Sequence, residues 1–165
     1  MTMVKGYVEA ARKFALASGQ ACETTPVMPT PADGGLAMEL VEEEYDEVLA
    51  AIEKIDSYAY EERKGMTFYE GCPAPHIPVA PHLHAELADG IADLIFVLIR
   101  AAQTFGIDIE AVCDTVASSN LSKINPDTGE VPKRDDGKVL KGPQWIDDKP
   151  LILSIIQEGI RHGSN

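Results

Sequence analysis

The chain has 165 residues and a mass of 17.8 kDa, the size of one compact domain. Hydrophobic residues make up 45% and charged residues 25% of it, which excludes disorder over most of the length. A net charge of −13 and a pI near 4.6 disfavour a fold that clamps a nucleic-acid backbone with a basic surface.

No apolar run approaches the roughly 18 residues of a membrane span, and the opening MTMVKGYVEA lacks the apolar core of a secretory leader. Cys22, Cys72 and Cys113 form an odd set without metal-type spacing. The expectation is a cytoplasmic protein with reduced thiols and no membrane partner.

In chain order, Val4, Val8, Ala11 and Ala15 repeat at helical spacing up to Ser18, and Gly19 is a stop signal. A Pro/Thr-rich strap follows from Thr24 to Gly35. A second helix is expected from Leu36 to about Tyr58. Between Glu61 and Leu83 two glycines and four prolines break the pattern, and a long loop is expected, either functional or an insertion. A third helix is expected from His84 to Thr104 and a fourth from Ile109 to Ser119. A polar region, 120–150, carries turn signals at Asp127-Thr128-Gly129 and Asp135-Asp136-Gly137. The last helix is expected from Leu151 to Arg161. Strand signals are nearly absent. The fold class is therefore all-α, with roughly five helices in a single domain over 1–165. Its helical core would span 36–119 and a polar flap 120–150.

The acids of the second helix break the hydrophobic pattern. At about 100° per residue, Leu36, Leu40, Val41, Val48, Ile52 and Ile55 share one arc. Glu44 and Glu47 fall inside that arc and Glu43 at its edge, while Glu42, Asp46 and Glu53 point to the polar side. Glu42 and Asp46 read as an ordinary solvated face. Carboxylates on a core-facing arc need partners. The third helix is apolar nearly all round, from Leu87 to Ile99, except for one narrow stripe holding Glu86, Asp89 and Asp93. Arg100 lies on the same stripe and offers an Asp93–Arg100 ion pair. One arginine cannot balance six carboxylates. Two acidic faces that meet call for hard divalent cations, Mg²⁺ or Mn²⁺. Such cations usually meet phosphates, and the matching chemistry is hydrolysis of a phosphoanhydride, with a spare carboxylate as general base.

Two other metal readings are weaker. A di-iron bundle needs Glu-x-x-His on two helices, and the chain has none. His82-x-His84 lacks a third zinc ligand, and His76 and His162 are isolated. After the fourth helix, Asn120, Lys123, Lys133, Arg134, Lys138 and Lys141 make a cationic segment ending near Trp145. It reads either as a solvated tail or as a flap whose cations meet phosphates. Trp145 would stack on a base or cap the core.

These residues resemble the all-α NTP pyrophosphohydrolase superfamily, with its MazG-like, dimeric dUTPase-like and phosphoribosyl-ATP pyrophosphohydrolase-like branches. Its pattern is Glu-x-x-Glu on one helix and Glu-x-x-Asp on another. Glu44-x-x-Glu47 matches the first half, and Glu43 the extra acid before it. Asp93 before Leu94-Ile95-Phe96-Val97 fills the Asp position, but Gly90 stands where Glu is expected. Asp89 is the substitute, or Glu86-x-x-Asp89 is the pair, one turn earlier. Phe105-Gly106-Ile107-Asp108, Ser119-Asn120-Leu121-Ser122-Lys123 and Asp136-Gly137-Lys138-Val139-Leu140-Lys141-Gly142-Pro143 carry the likeness on to about residue 145.

The resemblance implies Mg²⁺-dependent α/β cleavage of a nucleoside triphosphate, to monophosphate and pyrophosphate, by a homodimer or higher homo-oligomer. It implies Glu44, Glu47, Asp89 and Asp93 as metal ligands with Glu86 in support. Glu43 would orient or deprotonate the attacking water, and Asn120, Lys123, Lys138 and Lys141 would bind substrate. The competing expectation is a helical module that binds nucleotides or a protein without turning anything over.

Overall fold

A computed structural model describes residues 3–64, 66 and 76–163. Five helices are present: α1 (Met3–Ser18), α2 (Pro31–Lys64), α3 (Pro81–Thr104), α4 (Ile109–Leu121) and α5 (Asp148–Gly163). Among the described residues there is no strand, only a single antiparallel bridge, Lys133 to Val139. The all-α expectation holds.

The helix ends differ from the sequence expectation where capping outweighs composition. α2 starts five residues early, at Pro31, because Thr30 caps it: the Asp33 amide donates to Thr30 Oγ1 at 3.2 Å. Proline is well placed in a first turn, where its missing N–H costs nothing. Gly34 and Gly35 are then carried inside the helix rather than in the strap. α3 likewise starts at Pro81 rather than His84. Residues 67–75, inside the Pro-rich segment near 66–83, lie outside the described residues, and Cys72 with them.

α2 and α3 form a long hairpin, the principal packing unit of the chain, and α1 packs on α3. Phe14 of α1 meets Phe96 of α3 edge-on at 5.8 Å. Gly90 sits at a close approach of the two helices: a Cβ there would lie 3.3 Å from Val48 Cγ2. The strap between α1 and α2 crosses the C-terminal end of α3. Glu23 N donates to Gln103 O at 2.8 Å and Val27 N to Phe105 O at 3.1 Å. Gly106, at φ +66°, makes that crossing possible, because a Cβ would run into the Thr25 carbonyl.

The core of the chain is thin. Its buried apolar residues are Ala11, Ala15, Ala37, Ala51, Ala80, Ile99 and Ala102, and among the described residues no large side chain is fully buried. The expectation that α3 is buried all round is corrected: Ile91, Ile95 and Leu98 are exposed. They recur at helical spacing along one stripe, as do the exposed Tyr45, Leu49 and Ile52 of α2. Among the described residues nothing else covers those faces. No single described helix is long and apolar enough to cross a membrane.

Candidate metal centre

The α2–α3 hairpin brings acids from both helices together. Glu44 is half-buried, and its carboxyl is pushed above the ordinary glutamate range, first by burial and then by Glu47, Asp93, Glu43 and Asp89. Four further carboxylates thus act on one. Their convergence follows from helix geometry: Glu44 and Glu47 are three apart on α2, Asp89 and Asp93 four apart on α3, so each pair shares a face.

The acids lie on an open face rather than inside the helical core as the sequence suggested. Glu43, Glu47, Asp89 and Asp93 are exposed. With so thin a core, the hairpin's own interface takes up Val48, Ala51 and Gly90 and leaves the acids at its edge.

Glu86 is placed differently. Its Oε2 accepts from Lys54 Nζ at 2.6 Å, and Lys54 holds the carboxyl below its ordinary range, with His82 adding to the effect. Glu86 is not among the groups that act on Glu44. Lys54 was missed in the sequence, although its signal is there: it stands seven residues after Glu47, about 20° round the helix from it.

The Asp93–Arg100 pair is not formed. Arg100 is 94% buried and turns to the strap instead. Its Nη1 donates to Gln103 Oε1 at 2.8 Å and its Nη2 to Ala21 O at 3.0 Å, while Nε makes no hydrogen bond. Gln103 Nε2 in turn donates to Val8 O at 2.9 Å, so this polar knot ties α1, the strap and α3 together. It turns Arg100 away from Asp93.

The flap folds against the end of α4. Ser119 Oγ donates to Ile146 O at 2.8 Å and Ile146 N to Ser122 Oγ at 2.9 Å, while Gly142 presses on the backbone of Lys123. Lys123 Nζ donates to Asn120 Oδ1 at 2.6 Å, and Lys141 Nζ sits 3.5 Å above the Trp145 ring. Lys138 follows a tight turn in which Arg134 pairs with Asp136. Asn120, Lys123, Lys138 and Lys141 thus lie on one flap-and-helix unit, and none of them is among the groups acting on Glu44.

Residues 12–120 match the model of the phosphoribosyl-ATP pyrophosphohydrolase family. The chain belongs to that family. The matched span takes in α2, α3, all five interacting acids and α4 up to its last residue but one. The family places the chain in the all-α, MazG-like NTP pyrophosphohydrolase superfamily, as the acid pattern suggested, and makes it a nucleotide pyrophosphohydrolase. No curated protein matches the chain.

The chemistry of these side chains suits a hard divalent cation: five carboxylates on two facing helices, one of them destabilised by its neighbours, offer oxygen donors and no soft ones. Among the described residues, no three Asp, Glu, His or Cys side chains already converge into a cage.

Proposed function

We propose that the chain is a Mg²⁺-dependent nucleoside triphosphate pyrophosphohydrolase that cleaves between the α and β phosphates. The observation that carries this is the raised carboxyl of Glu44 among Glu43, Glu47, Asp89 and Asp93. Functional sites are where like charges are gathered at the expense of stability. Glu44, Glu47, Asp89 and Asp93 would hold the cation, Mg²⁺ or Mn²⁺, with Glu86 flanking them. The bound cation would neutralise phosphate charge and lower the pKa of a bound water. Glu43, at the edge of the cluster, is the base that orients this water and takes its proton. Asn120, Lys123, Lys138 and Lys141 are the flap's candidates for phosphate and sugar contacts. Non-standard or excess nucleotides in a cytoplasmic pool, dUTP and other deoxynucleotides among them, are the substrates this reading names.

A second copy of the chain completes the fold in this proposal. Tyr45, Leu49 and Ile52 on α2 and Ile91, Ile95 and Leu98 on α3 form apolar stripes on the sides of the hairpin away from the acids. A homodimer that stacks two hairpins would bury them, and would supply the core that the single chain lacks.

The test is a product assay. Purified protein is incubated with each ribo- and deoxyribonucleoside triphosphate, with Mg²⁺ or with chelator. Monophosphate and pyrophosphate, lost with chelator, are expected. Diphosphate and phosphate would refute the cleavage position. Nucleotide-induced stabilisation with no product would favour a binding module.

A further inference from the structure

We propose that Lys54 binds the terminal phosphate of the triphosphate and that Glu86 positions it. This rests on the α/β cleavage reading above. Lys54 and Glu47 lie about two helical turns apart on nearly the same stripe of α2, roughly 10 Å along the axis. Cα–Cβ bonds in a helix lean toward its N-terminus, so the Lys54 stem leans back toward the acids. On α3, Glu86 stands at the same remove from Asp93. The ion pair between Lys54 and Glu86 at 2.6 Å therefore joins the two helices just beyond the acidic cluster.

The surroundings suit a phosphate chain. An open, shallow patch of α3 is lined by His82, Ala85, Glu86, Ala88, Asp89 and Ala92. Asp89 marks its acidic end, and Lys54 and His82 gather at Glu86 toward the other. Three alanines keep the floor low. The Lys54 side chain is 58% exposed and that of Glu86 47%, so the lysine keeps donors for an incoming anion. An exposed pair of this kind adds little to stability. Cleavage at the α/β bond sends the bridging electron pair onto pyrophosphate, and an ammonium at the far phosphate stabilises that charge.

The test combines Lys54→Met, Lys54→Arg and Glu86→Gln with the wild type. Lys54→Met is expected to keep its Tm and its Mg²⁺-induced stabilisation. It should bind inorganic pyrophosphate, titrated calorimetrically with Mg²⁺ present, about 10- to 100-fold more weakly, and kcat/KM should fall by a similar factor. Lys54→Arg should restore most of both. Glu86→Gln should raise KM more than it lowers kcat. In the wild type, pyrophosphate with Mg²⁺ should shield Lys54 from acetylation, read by peptide mass spectrometry without any variant. Unchanged pyrophosphate affinity in Lys54→Met, or no shielding of Lys54, overturns the proposal while wild-type α/β cleavage leaves the function standing. A wild type that neither cleaves triphosphates nor binds pyrophosphate overturns the function itself, and the proposal with it.

Discussion

Glu44→Gln should make the metal-free protein more stable. Four carboxylates act on Glu44, and burial adds to their effect. Like-charge neighbours on helix surfaces cost about 0.2–0.5 kcal/mol each, and solvent screening on this open face reduces the sum. The net gain from removing one charge is then about 1 kcal/mol, or roughly 2–4 °C in Tm for a chain of this size. The sign follows from linkage. A carboxyl whose folded pKa is raised favours the fold in its protonated form. That advantage is full below its unfolded pKa and is lost as the pH rises through the folded pKa. The gap between wild type and Glu44→Gln should therefore open above that range and close in acid. The assay is thermal unfolding in low salt with chelator, at fixed protein concentration and several pH values. Added salt should shrink the gap, because exposed charges are screened. Mg²⁺ should reverse the order, stabilising the wild type more than the variant. A metal-free variant that melts lower than the wild type at neutral pH, or an equal response to Mg²⁺, would refute the reasoning.

Glu47→Gln should lower Mg²⁺-dependent turnover about 100-fold or more while the far-UV helical signal is kept; full activity would remove Glu47 from the metal set. Gly106→Ala should cost about 3 kcal/mol or more in denaturant unfolding, since it combines a positive φ with a clash at the Thr25 carbonyl; a change below 1 kcal/mol would show that the strap does not hold this crossing. If two copies stack as proposed, Ile95→Lys with Leu98→Lys should shift the molecule from dimer to monomer in sedimentation and lower its Tm by several degrees; an unchanged mass and Tm would show that these side chains face water in solution.

The two helices and the acids they carry were legible in the sequence because each signal is local to one helix. Glu44 and Glu47, or Asp89 and Asp93, share a face by spacing alone, whatever packs against them. The same holds for the α1 stop at Gly19 and for the turn at Gly137, both at positive φ. Helix starts at Pro31 and Pro81 were also written locally, in a threonine cap and in proline's tolerance of a first turn.

Partner choice was not local, and only the tertiary structure decided it. Arg100 shares a stripe with Asp93, yet its guanidinium meets Gln103 and Ala21, because the strap arrives from about 80 residues away to offer acceptors. Glu86 shares that stripe too, yet pairs with Lys54, which the antiparallel run of α2 brings opposite it. Whether the acids would be buried was equally beyond periodicity. A helix pattern gives the direction of each side chain but not what, if anything, lies in that direction. Among the described residues α1, α2 and α3 cover too little of one another to bury any large side chain completely, so the apolar stripes stay exposed and the carboxylates line an open face.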